Sequence, residues 1–218
     1  MLRWSLKMIR SNLLPVSQAG FKVIGCSVLL FIVSMIFDFD FLAFILFIVT
    51  TLFIFVYRNP EREMMAFGEL SVLSPVDGKV LSIEELNEDE YAYKIKIDST
   101  YSDVGVLRVP MNATLKESTL IKGAKLAQDS FLAPKINENC ILIFEDSLQN
   151  RVQVKHLSKQ SFADISLSAI ESTNLLQTSR YGFMTNGITT IYIPQNFRIN
   201  VSVGKELLAS ETLIGYFS

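Results

Sequence analysis

Two apolar runs, residues 23–37 and 41–57, are separated only by Asp38-Phe39-Asp40, and neither contains a charge. No soluble core needs such a pair. Read as one span, 35 residues with two carboxylates at the centre are too long and too costly for a bilayer. Read as two, the 15- and 17-residue runs sit near the lower length limit for crossing. The first extends back through Ala19-Gly20-Phe21 if Lys22 snorkels. The expectation is a transmembrane helical hairpin with spans at about 20–37 and 41–57 and its acidic turn at the far interface. A re-entrant, non-crossing hairpin is the competing reading. Arg3, Lys7, Arg10 and Lys22 precede the hairpin, and Arg58 and Arg62 follow it. The positive-inside rule therefore places both ends in the cytoplasm, at the inner membrane. The apolar stretch starts late and no small-x-small site follows it, which speaks against a cleaved signal peptide. Residues 1–14 put Leu2, Leu6, Ile9 and Leu13 on one helical face beside basic residues, as an interfacial helix or a plain basic flank would.

The rest of the chain, 58–218, reads as one domain of different composition. Residues 1–57 hold four basic and two acidic residues and nine of the 16 Phe. Taking those charges from the chain's 20 basic and 22 acidic residues leaves 16 and 20, a net charge of −4. A mildly acidic domain argues against nucleic acid as a partner. Two cysteines, Cys26 and Cys140, and a single histidine, His156, supply neither a disulfide framework nor a Cys/His metal site. Short β-branched or alternating runs recur at 79–83, 91–97, 104–109, 140–144, 151–157, 189–193 and 197–203. Turn residues such as Pro75, Asp77-Gly78, Pro110, Asn137, Asn150 and Pro194 punctuate them. This pattern predicts a β-rich domain with few helices, residues 162–170 being one candidate. Pro60-Glu61-Arg62-Glu63 reads as the linker to the membrane.

Several segments are weak signals alone but specific in their order and spacing. They are Tyr57-Arg58-Asn59-Pro60-Glu61-Arg62, Ser74-Pro75-Val76-Asp77-Gly78-Lys79-Val80, Asp103-Val104-Gly105-Val106-Leu107-Arg108-Val109-Pro110 and Asn137-Glu138. Arg180-Tyr181-Gly182, running on to Tyr192-Ile193-Pro194, and the closing 204–212 complete the series. Together they resemble the short bacterial and archaeal form of the phosphatidylserine decarboxylase family, over about 58–218. The resemblance implies an α+β, β-rich fold of curved antiparallel sheets with few short helices, behind the membrane hairpin. It also implies a phospholipid partner in the membrane, phospholipid-synthesis enzymes as further candidate partners, and room for a homo-oligomer.

Decarboxylating an amino acid leaves a carbanion that needs an electron sink. The family's sink is a pyruvoyl group, made by self-cleavage between Gly and Ser, with a His taking the hydroxyl proton and an Asp orienting that His. Carried over residue by residue, Asp77 matches the catalytic Asp. Gly105 stands where the His belongs, and Gly187 is followed by Ile188 where the Ser belongs. Arg108, Asn137 and Glu138 match family positions and are candidates for substrate binding. Thr189 and Thr190 lie near the cleavage position and Ser179 lies eight residues before Gly187. His156 is expected on a strand, facing solvent or a core edge, with a transplanted general base as the lesser alternative. The expectation is therefore a membrane-anchored relative that has lost the carboxy-lyase activity, binds a phospholipid headgroup or partners a lipid enzyme, and uses no cofactor or metal. The alternatives are an active decarboxylase making phosphatidylethanolamine, in which another residue forms the prosthetic group, and a purely structural module. Restoring His at 105 and Ser at 188 is expected to bring back traces of self-cleavage.

Overall fold

In a computed structural model, which describes residues 14–62, 67–86 and 90–218, the chain divides into two compact units, Met1–Glu61 and Arg62–Ser218. The helix considered for residues 1–14 lies, but for Leu14, outside the described residues.

The first unit is a helical hairpin. A 3-10 turn, Gln18–Gly20, leads into α1 (Phe21–Ile36), and α2 (Asp40–Val56) returns. The acidic turn has a definite geometry. Phe39 N–H donates to the Ser34 carbonyl at 2.9 Å and Asp38 N–H to Met35 at 3.3 Å, while Asp38 takes φ 55°. This is a Schellman-type stop, with a short polar residue at the left-handed position. Asp40 then sits in the first turn of α2, where the helix dipole favours an acid. The helix hydroxyls are satisfied internally: Ser27, Ser34, Thr50 and Thr51 each donate to a carbonyl three or four residues back. At the open end Ser17 N–H donates to Tyr57 O at 2.8 Å and Asn59 N–H to Pro15 O at 2.7 Å. A Cβ at Gly20 would lie 2.4 Å from the Tyr57 ring, so only glycine fits there. Gln18–Ile36, 19 residues with mean hydropathy 2.2, is long and apolar enough to cross a membrane; Asp40–Val56 is apolar but shorter.

The regular structure of the second unit is mainly antiparallel strands. They are β1 (Ser71–Leu73), β2 (Gly78–Glu85), β3 (Tyr93–Ser99), β4 (Val106–Arg108), β5 (Ala113–Ile121), β6 (Asn139–Glu145) and β7 (Arg151–Ser158). There follow β8 (Ser166–Leu167), β9 (Asn174–Leu175), β10 (Arg180–Phe183), β11 (Gly187–Ile193), β12 (Phe197–Ile199), β13 (Glu206–Leu207) and β14 (Leu213–Phe217). An eight-stranded sheet runs β13-β2-β3-β11-β7-β6-β5-β9, with three-stranded sheets β1-β14-β12 and β4-β10-β8 beside it. Bulges at Val80/Ser82 and Leu115/Glu117 interrupt the large sheet, and bulges bend and twist the strands that carry them. Among the described residues of this unit there is one helix, α3 (Ala133–Ile136). The helix expected at 162–170 is absent: that segment makes bends and β8. Ile165 is buried and its N–H donates to a side chain, so hydrogen bonding beyond the segment overrides local propensity.

Alternation along the large sheet separates two faces. One carries Ile95, Ile97, Leu142, Phe144, Val152, Val154, Ile191 and Ile193, all fully buried in the core. The other carries Lys94, Lys96, Gln153, Lys155 and Tyr192, which are half-exposed.

Candidate functional site

Several of the segments that carry the resemblance converge on one carboxylate. Asp77 ends the turn before β2 and is buried at 4% exposure. Ala209 N–H donates to its Oδ1 at 2.7 Å, and Arg62 Nη2 donates to its Oδ2 at 2.6 Å. The Val104 N–H is a third partner. The other Arg62 nitrogen reaches Glu211 at 3.3 Å. Arg62 and residues from 74–80, 103–110 and 204–212 thus meet there. Burial pushes the Asp77 carboxyl above its ordinary range, and the Ala209 N–H, Arg62 and Val104 N–H oppose that rise. Gly78 follows at φ +153°, where a Cβ would lie 2.2 Å from the Asp98 carbonyl, so the turn requires glycine.

Strand register brings Gly187 and Ile188, the expected cleavage position, alongside. Ser99, whose hydroxyl donates to the Asp77 carbonyl at 2.6 Å, pairs with Gly187, and Gly187 pairs in turn with Ser158. Asp77, Gly105, Gly187 and Ile188 therefore share one corner of the sheet, and the contents of that corner differ from the motif. A Cβ on Gly105 would lie 2.7 Å from the Met184 carbonyl and 2.8 Å from the Phe183 ring. Met184 N–H donates to the Gly105 carbonyl at 2.8 Å, and both Phe183 and Met184 are buried. The space for a side chain at 105 is filled.

Ile188 lies inside β11, paired on both sides, opposite Asp98 and Leu157. By strand alternation its side chain leaves the sheet on the face away from Gly187 and Thr189. On that face Lys159 pairs with Asp98. A pyruvoyl group needs a hydroxyl at 188, and this residue supplies none. The chain does not fit the group there.

On the inner face the hydroxyl belongs to Thr189. Its Oγ1 lies 2.8 Å from His156 Nδ1, and His156 Nε2 lies 2.6 Å from Tyr181 OH. All three are fully buried, contrary to the expectation of a solvent-facing or edge histidine. The cause is register: residue 156 alternates with Val152 and Val154 on the core face. Burial drives the His156 pKa down to about 3 and raises the Tyr181 phenol well above its ordinary value. A phenol is a better donor than an aliphatic hydroxyl, which assigns Tyr181 O–H as donor to Nε2 and Nδ1–H as donor to Thr189. Cys140, paired with His156 across β6 and β7, is buried, and its thiol is pushed up to about 12.

The three candidate binding residues have structural partners. Asn137 clips the 122–137 loop: its Nδ2 donates to the carbonyls of Leu126 (3.0 Å) and Ser158 (2.9 Å), and Leu126 N–H donates to its Oδ1 at 3.0 Å. The Glu138 carboxylate, 1% exposed, accepts from Lys122 Nζ at 2.6 Å and from Ile165 N–H at 3.0 Å. Arg108 is buried, its main-chain N–H donates to Pro75 O at 2.9 Å, and its Nη1 donates to Thr178 O at 3.3 Å. Sequence reasoning left Arg62 and Ala209 out of the site, although both lie in recognised segments. The filling by Phe183 and Met184 left no signal. A cavity of about 390 Å³, lined by residues including Leu14, Arg58 and Asn59, belongs to the hairpin unit. Among the described residues no cluster of His, Cys, Asp and Glu is arranged to hold a metal.

Residues 49–215 match the phosphatidylserine decarboxylase family model. A phosphatidylserine decarboxylase proenzyme of Geobacter metallireducens is 29% identical over 95% of this chain and 99% of its own length. Proenzymes of the same name from Desulfotalea psychrophila (26%, over 92% of this chain and 96% of the relative) and Ehrlichia chaffeensis (27%, over 80% of each) are also similar. The likeness thus extends back from residue 58 into the hairpin.

Proposed function

The chain belongs to the phosphatidylserine decarboxylase family, with a role in phospholipid metabolism, and from that premise we propose that it is a membrane-anchored, non-cleaving member. In this reading the hairpin anchors it in the inner membrane with the β-rich domain on the cytoplasmic side. The Asp77 corner holds a phospholipid headgroup without forming the prosthetic group. One observation carries the reading: the position of the family's base is closed by Phe183 and Met184, while the residue at the cleavage position has no hydroxyl and leaves the sheet on the other face. Asp77, kept but deprived of its histidine, is neutralised by Arg62 and serves as the joint of four segments.

A second reading, self-cleavage at Thr189, is favoured by its 2.8 Å contact with His156. Such a cut would leave a 2-ketobutyryl group on residues 189–218. The tautomer assigned above opposes it, because an Nδ1 that carries a proton cannot accept one from Thr189. The mass of the purified full chain under denaturing conditions separates the two. A single species of 24.6 kDa, unchanged by hydroxylamine, is expected. A carbonyl-blocked fragment beginning at residue 189 would replace the first reading by the second.

A further inference from the structure

The corner just described lies at one end of the large sheet, and that end carries a surface with no role so far. Register places the start of β2, the end of β3, the start of β11, the end of β7, the start of β6 and the end of β5 in one row: Lys79–Asp98–Ile188–Leu157–Asn139–Ile121. Beyond this row three loops are tied together. Tyr101 OH donates to the Gln160 carbonyl at 2.7 Å, Gln160 N–H donates to the Lys125 carbonyl at 3.1 Å, and Lys159 Nζ reaches Gln128 Oε1 at 3.4 Å. Their tips are apolar and exposed: Phe131 at 82%, Ile121 at 51%, Phe162 at 50%, Leu132 at 49% and Ile136 at 45%. The Lys135 ammonium lies 5.1 Å from the Phe131 ring centroid, and Tyr101 stacks on Phe162 at 5.4 Å. Leu148 (67%) and Leu176 (75%) also protrude, but away from this end of the sheet.

Exposed aromatic and aliphatic tips grouped in this way mark an interaction surface. Its chemistry is that of an interfacial anchor: phenylalanine and leucine that sink to the acyl boundary, and a lysine that stays at headgroup level. The chain itself supplies the occupant, because Gln18–Ile36 is apolar and long enough to cross a bilayer, which tethers the β-domain at high effective concentration beside one. A phospholipid headgroup reaches only a short way out of a bilayer, so a corner that receives one must turn that end to the lipid. We propose that the loop end formed by Ile121, Phe131, Leu132, Ile136 and Phe162 docks on the bilayer surface and presents the Asp77 corner to the headgroups. This rests on the reading that the corner handles a phospholipid, and it is tested without measuring headgroup binding.

The test places an environment-sensitive fluorophore on single cysteines in the full chain, in nanodiscs with and without doxyl-labelled lipid. Cys26 is replaced by serine; Cys140 is buried, with its thiol pushed up to about 12, and stays unlabelled. Labels at Phe131→Cys and Phe162→Cys are expected to be quenched about twofold or more beyond those at Leu148→Cys and Leu176→Cys, a tip depth of roughly 5–10 Å. Leu148 lies in the β6–β7 turn, at the far end of those strands, and reports a domain that merely hangs near the membrane. No quenching at 131 and 162, or equal quenching at all four sites, overturns the proposal. Hydrogen exchange of the unlabelled chain is the second measurement: residues 120–136 are expected to be protected in nanodiscs relative to detergent, and unchanged exchange there also overturns it. Headgroup binding that survives Asp77→Asn with quenching intact would count against the headgroup reading alone.

Discussion

Replacing Gly105 with alanine asks whether position 105, which the proposed function matches to the family's histidine, is closed. The added Cβ would lie 2.7 Å from the Met184 carbonyl oxygen and 2.8 and 3.0 Å from two Phe183 ring carbons. Real Cβ atoms essentially never approach so closely, and neither neighbour can retreat easily. Met184 is fixed by its N–H donation to the Gly105 carbonyl, and the Phe183 ring is 2% exposed in the core. Overpacking of this kind costs about 1–3 kcal/mol. Restricting the unfolded chain returns about 0.4–1 kcal/mol. At roughly 2–4 °C per kcal/mol for a domain of this size, the melting temperature should fall by several degrees. The assay is the far-UV circular dichroism melt of the detergent-solubilised full chain. Gly68→Ala, where a Cβ meets nothing within 4 Å, is the control and should melt with the parent or slightly above it. A Gly105→Ala chain as stable as that control would refute the reasoning. The same geometry revises the expected repair. Gly105→His with Ile188→Ser should give no cleavage, because the histidine has no room and the serine would leave the sheet beside Asp98 and Leu157.

His156 titrates near 3 in the folded chain, below its ordinary 6.5, so its contribution is present above pH 6.5 and is lost as pH falls towards 3. The loss is about 1.4 kcal/mol per pH unit, partly offset by Asp77, whose shift has the opposite sign; a melting temperature that stays flat between pH 6.5 and 4.5 would contradict the burial of this imidazole. Arg62→Ala leaves the Asp77 carboxylate buried without its cation and should cost about 2–4 kcal/mol in chemical denaturation, Asp77→Asn restoring part of it. Thr189→Val removes the acceptor of the His156 Nδ1–H and should cost about 1–3 kcal/mol, while the intact mass stays unchanged; abolition of a cleaved fragment by this change would instead revive the second reading. In right-side-out cells external protease should leave residues 58–218 whole, and digestion from outside would reject the cytoplasmic placement.

Much of this molecule was legible in one dimension because its signals are local. The uncharged runs around Asp38-Phe39-Asp40 set the two helices, since each helix satisfies its own backbone and its length follows from composition. The strands containing 79–83, 140–144 and 151–157 followed from β-branched alternation between turn residues. The proposed loss of the family's histidine and serine rests on two residues legible in the sequence, Gly105 and Ile188, neither of which carries a hydroxyl or an imidazole. What tertiary structure alone decided is which groups meet and which face they take. Arg62 and Ala209 stand 15 and 132 residues from Asp77 in the chain, and only the closure of the fold brings their N–H groups to its carboxylate. His156, expected at a surface or a core edge, is buried because register aligns it with Thr189 and Tyr181 on the core face, a relation between strands that no single strand records. The filling of the site by Phe183 and Met184 is of the same kind. Steric exclusion depends on distances between segments remote in sequence, and those distances exist only once the chain has folded.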